Sequence, residues 1–227
     1  MRADATAGRG IVTSVRIALI ALALAACSAP VRQAAPWNEI TGEKLLALRL
    51  QGDAARGARA YEVCQGCHRR GATGSTSGTY PRLAGQHATV LIEQMADIRS
   101  GRRGNDKMLP FADEHVLSPQ DIADIAAYVS ALPVPPALGV GPGTRLAQGE
   151  ALYRRDCVAC HGERGQGDGP KFHPMIAGQH YRYLLREVGL IRSGERGNAN
   201  PDMVRVIRPY TDDELEAVSD YVSRMTR

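Results

Sequence analysis

Laid over itself with an offset of 93 residues, the chain matches its own second half. Cys64-Gln65-Gly66-Cys67-His68 falls on Cys157-Val158-Ala159-Cys160-His161, and the segment Tyr80 to His87 falls on His173 to His180. The register continues through Arg99-Ser100-Gly101 on Arg192-Ser193-Gly194, Arg103-Gly104-Asn105 on Arg196-Gly197-Asn198, and Tyr128 on Tyr221. Two copies are too few for a solenoid, which needs about three. The chain is a duplicated domain, with a first copy over residues 44–132 and a second over 144–227. Between them lies a Pro/Gly-rich linker, 133–143, whose prolines forbid helix and favour an extended connection.

Each copy reads as helical. Val90, Leu91, Gln94, Met95 and Ile98 fall at helical spacing, as do Tyr183, Leu184, Val188 and Ile191, and a glycine sits at the end of each run. The last helix of each copy opens on a capping box, Ser118 with Asp121 and Thr211 with Glu214. No segment reads convincingly as a strand, so the expected class is all-α. Two Phe and one Trp provide little aromatic mass for two separate cores. Domains of this size are marginal when unaided, and a buried prosthetic group would fill the deficit.

The Cys-x-x-Cys-His motif supplies two thiols about one helical turn apart, placed to add to the two vinyl groups of one haem, with a histidine next to them that reaches the iron. Zinc ribbons also use paired Cys-x-x-Cys, but at separations of about 15–20 residues and with no need of a histidine at this position in both. A thioredoxin-like motif would expect a βαβ context, and two disulfides would leave both histidines unexplained. Covalent haem, one per copy, is the reading that uses every residue of both motifs. Haem iron takes a sixth ligand or keeps an open site. Of the methionines, Met95 lies on a helix stripe, Met175 is only 14 residues past His161 and aligns with Arg82, and Met225 lies in the final turn. Met108 and Met203 remain, in corresponding loops 40 and 42 residues past His68 and His161. They are the expected axial partners, and His115, which has no counterpart in the second copy, is read as a surface side chain.

Residues 1–26 read as a secretory signal, with Arg2, Arg9 and Arg16 ahead of an apolar run from Ile17 to Ala26. Leu24-Ala25-Ala26-Cys27 resembles a lipobox, which makes Cys27 the candidate lipidation site and 27–43 a tether to a membrane surface. Removing the signal takes away three Arg and one Asp and lowers the net charge from +4 to +2. No block of like charge is left to suggest nucleic acid.

Together the two CxxCH motifs, the Pro-x-(Leu/Ile)-Ala-Gly-Gln segments, the Arg-Ser-Gly helix ends and the methionine positions resemble the cytochrome c4 family over about residues 44–227. That resemblance implies a tandem pair of class I cytochrome c domains, each wrapped around one covalent haem c, in a periplasmic electron carrier. Its partners would be the cytochrome bc1 complex, a terminal oxidase or a dehydrogenase. It also implies that the carbonyls of Pro81 and Pro174 accept the ring N–H of His68 and His161. Gly57 and Tyr61, like Gly149 and Tyr153, would let the first helix of each domain cross close to the last, against Tyr128 and Tyr221. Arg99 and Arg192 are candidates to neutralise haem propionates, and His87 and His180 for surface or capping roles. Two other functions use paired CxxCH motifs. A di-haem enzyme such as a peroxidase needs an open iron, which two methionines disfavour, and an electron-accepting subunit of a dehydrogenase such as flavocytochrome c sulfide dehydrogenase stays compatible with every residue.

Overall fold

The structure, a computed structural model, describes residue 1, residues 37–136 and residues 139–226. The signal segment and Cys27 lie outside the described residues. Residues 35–227 form one unit, to which everything below refers.

In the first half the helices are α1 (Gly42–Arg49), α2 (Ala54–Ala60), α3 (Gln65–His68), α4 (Ala88–Arg99), α5 (Leu109–Ala112) and α6 (Pro119–Ala131). The second half contains α7 (Leu146–Asp156), α8 (Val158–His161), α9 (Tyr181–Ser193), α10 (Pro201–Ile207) and α11 (Asp212–Ser223). Among the described residues there is no strand, only an isolated bridge between Asp168 and His173. Helix α1 has no counterpart in the second half. It starts at Gly42, inside the segment read as tether, and is fastened to α4 by Lys44 to Asp97 at 2.6 Å and by the Glu43–Arg99 pair.

The halves are built alike because the same local signals recur. Ser118 and Thr211 each accept from the backbone N–H three residues on and receive the reciprocal carboxylate, so α6 and α11 begin at satisfied caps. Helix α2 crosses α6, and α7 crosses α11, at a glycine. A Cβ at Gly57 would lie 1.9 Å from the Asp124 carbonyl oxygen, and one at Gly149 would lie 2.1 Å from that of Ala217. Only hydrogen fits there. Tyr61 and Tyr153, fully buried, pack on Tyr128 and Tyr221 with ring centroids 5.6 and 5.8 Å apart. Around these crossings lie two apolar cores, one with Leu91, Ile122, Ile125 and Val129, the other with Leu184, Ile191, Leu215 and Val218.

The linker is not a free spacer. Gly141 and Gly143 donate to Ser223 and Asp220, and Arg224 donates back to the Gly141 carbonyl, so its second part is bound to α11. The halves meet through a reciprocal clasp. Gln86 exchanges two hydrogen bonds with the backbone of Met175, and Gln179 exchanges two with the backbone of Arg82, all at 2.9 Å. Gln86 and Gln179 are repeat equivalents, as are Arg82 and Met175, so the contact has pseudo-twofold character.

Candidate haem sites

In the first half a short 3-10 turn, Tyr61–Cys64, leads into α3, which places Cys64, Cys67 and His68 on one side of a cavity of about 530 Å³. Met95, Ile98, Ile125 and Val129 provide apolar lining, and Met108, the residue capping α5, lines the same cavity. Val63 and Phe111 stand half-exposed at its edge. The other end is polar and is closed partly by the second half, through Tyr183, Glu187 and Arg196, which join Gln94 and Arg103.

His68 is buried, and its Nδ1 donates to the Pro81 carbonyl at 3.1 Å. His161, equally buried, donates from Nδ1 to Pro174 at 3.0 Å. A carbonyl only accepts, so both rings carry their proton on Nδ1 and present a bare Nε2 to a metal. Burial pulls both imidazoles below their ordinary pKa, which keeps them in the neutral, ligating form. The Cys64 and Cys157 thiols are pushed by burial up to about 11 and about 12. As free thiols they would be poor nucleophiles, which argues against a thiol-redox role. All four are unpaired, and among the described residues no three His, Cys, Asp or Glu side chains converge as a zinc site requires.

Met203 is in a helix rather than a loop. It lies in α10, half-buried, and packs against the cluster that contains Cys157, Leu184 and Ile191. Met95 and Met175 are buried in the protein, Met175 at the clasp, and His115 is exposed. Two further expectations need correction. Arg99 binds the Ala112 and Leu117 carbonyls and Glu43 and does not line the cavity, and Arg192 binds the Tyr210 carbonyl and Asp212, so both fasten chain segments. His87 and His180 are not surface side chains. Their Nε2 atoms reach carbonyls of the opposite half, Gln166 and Thr73, each at 2.8 Å. The arginines that do line the cavity are Arg103, Arg186 and Arg196, the first and last from the repeated Arg-Gly-Asn elements.

Two thiols, a neutral imidazole, a thioether, apolar lining and a cationic end match the chemistry of haem c, an amphipathic macrocycle with two acidic arms. Comparison with known proteins bears on the same point. The family model "Cytochrome c" matches twice, over residues 54–133 and 146–226. The chain belongs to the cytochrome c family. A thiosulfate dehydrogenase electron acceptor from Stutzerimonas stutzeri is 35% identical, with 82% of this cytochrome and 94% of that protein covered. A cytochrome c4 from Pseudomonas aeruginosa is 34% identical over 75% of this cytochrome and 88% of the relative. The crystal structure of reduced recombinant cytochrome c4 from Pseudomonas stutzeri superposes with a TM-score of 0.70 at 29% identity, covering 77% of this cytochrome and all of that chain. This cytochrome is thus a tandem, cytochrome c4-like di-haem protein carrying two covalent haem c groups.

Proposed function

We propose that this cytochrome is a periplasmic electron carrier, taking electrons from a respiratory or dehydrogenase donor and delivering them to an acceptor such as a terminal oxidase. Cys64 and Cys67 would hold one haem and Cys157 and Cys160 the other, with His68 and Met108 ligating the first iron and His161 and Met203 the second. When bound, each haem provides a one-electron centre; the protein holds it, excludes water and fixes its ligands. The carrying observation is that each half has a histidine whose Nδ1 is committed to a proline carbonyl and a methionine a few residues after its Arg-Gly-Asn element. An iron ligated by both a histidine and a methionine would have no position left for a substrate. The test is carbon monoxide binding to the reduced protein: slow, weak binding and no peroxidase turnover are expected, and rapid binding at either haem overturns the ligand assignment.

The name of the Stutzerimonas relative favours a second reading, a dedicated acceptor for a periplasmic dehydrogenase. It predicts stoichiometric co-purification of a catalytic partner from native membranes, which a freely exchanging shuttle would not give. Anchoring through Cys27 belongs to either reading, and mass spectrometry of the mature N-terminus detects it. Ser28 in place of the Asp that typically retains lipoproteins at the inner membrane favours the outer membrane. Among the described residues no helix is long and apolar enough to cross a membrane.

A further inference from the structure

Helix α1 lies ahead of the stretch matched by the cytochrome c family model, which starts at residue 54, and it has no counterpart in the second half. It nevertheless provides a part that the second half finds within itself. Arg99, at the end of α4, donates to the Ala112, Asp113 and Leu117 carbonyls and so gathers the segment that follows Met108. Its side chain is only 10% exposed, and among the described residues Glu43 of α1 is the one carboxylate within ion-pair reach. Arg192, the repeat equivalent, is paired instead with Asp212 of its own half. The first half has Pro119 at the place of Asp212, which offers no charge. Glu43 stands in for it from outside the repeat.

The same leading segment holds the approach to Met108. Arg102 donates to the Trp37 carbonyl and lies 3.9 Å from Glu39 and 3.7 Å from Asp97, whereas its repeat equivalent, Glu195, is exposed and of opposite charge. Along the chain, Met108 falls between these two anchors. Its carbonyl accepts from the Phe111 and Ala112 N–H groups at 3.0 and 3.1 Å, so a single tight turn, α5, joins it to the Ala112 carbonyl that Arg99 grips. One turn is too short to sustain itself, because the cost of nucleating a helix is recovered only by propagation. The placing of Met108 therefore depends on what fastens the ends of its segment. Without Glu43, the Arg99 guanidinium would be a nearly buried cation with no counter-ion.

We propose that Glu43 and residues 37–39 brace Met108: acting through Arg99 and Arg102, they are positioning residues that keep the methionine on the first iron, while the second haem does without them. The inference rests on the assignment of Met108 as the ligand of that iron. Its test is titration of the ferric holoprotein with imidazole, which takes the sixth position on haem iron when the methionine lets go, with haem content and melting temperature measured for each variant. Met108→Leu opens the first iron and so identifies which absorbance phase belongs to which haem. Glu43→Gln should raise the imidazole affinity of the first haem about tenfold, the loss of one hydrogen bond between charged groups, and leave the second haem unchanged. Glu43→Asp should bring the affinity back toward that of the parent. If Glu43→Gln does not accumulate with two haems, Arg99→Lys makes the same comparison, since an ammonium lacks the guanidinium fork that spans several carbonyls. A lower melting temperature with unchanged imidazole affinity means that Glu43 only fastens α1 and overturns the brace, as does an equal gain at both haems. A parent protein whose first iron binds imidazole as tightly as that of Met108→Leu overturns the ligand assignment instead.

Discussion

Arg69 follows the proposed iron ligand of the first half and takes backbone angles of φ 70° and ψ 161°. Almost only glycine populates that region, and the cost to another residue is about 1–3 kcal/mol. Its repeat equivalent is Gly162, at φ 75° and ψ 166°. The backbone is held there in both halves by a buried tyrosine hydroxyl, Tyr61 donating to the Arg69 carbonyl at 3.0 Å and Tyr153 to that of Gly162. Arg69→Gly is expected to stabilise the holoprotein by about 1 kcal/mol, since the relieved strain exceeds the extra chain entropy of glycine. Chemical denaturation with haem attached measures it. Glu93 gives a pH prediction at the same scale. It is 2% exposed, one carboxyl oxygen has no hydrogen-bond partner, and it faces Asp97, Lys44, Gln94 and Arg196. Burial raises it from 4.5 to about 7, so the folded state holds the proton more tightly than the unfolded chain. The associated stability is full below pH 4.5 and is lost as pH rises through about 7, on the order of 3 kcal/mol in total. Glu93→Gln should flatten that part of the stability profile and be the more stable protein at pH 8.

At the level of helices, α6 and α11 both begin at satisfied caps. Their capping boxes span sequence-adjacent residues, which is why Ser118/Asp121 and Thr211/Glu214 were legible without a structure. Ser118→Ala and Thr211→Ala should each cost about 1 kcal/mol and add in the double variant, because the caps share no partner. The crossings are less forgiving. Gly57→Ala or Gly149→Ala drives a methyl into a helix carbonyl and should cost about 3 kcal/mol or more, read as a lowered melting temperature of the holoprotein. These glycines were legible because each stands four residues ahead of a tyrosine in both copies. The arginines that line the cavity were not. Arg99 and Arg103 lie in one short segment, and which of them reaches the cavity is decided by the turn after α4, where Ser100 ends the helix and Gly101 adopts φ +75°. A pattern of residue types shows that both arginines recur; it does not show which way the chain leaves the helix.

For the whole molecule, the repeat announced two domains and their helices but not how they meet. A side chain that recurs in both copies, such as Gln86 with Gln179 or His87 with His180, has the same signature whether it faces water or its own twin. The interface is polar and reciprocal, so no apolar stripe marks it. Heating should melt the two halves as one cooperative unit. Gln86→Ala with Gln179→Ala removes four cross-domain hydrogen bonds and should split calorimetric unfolding into two transitions while leaving haem content at two per chain.

The linker changes the terms on which that interface has to work. Because residues 133–143 join the halves covalently and are partly bound to α11, docking is a first-order event at an effective concentration on the order of millimolar. An intrinsic affinity between separate halves of only about 10 μM would then keep about 99% of molecules docked. A polar contact of this kind needs no more than that under such a condition. At that affinity a partner protein gripping one half would prise the pair ajar for about 3 kcal/mol.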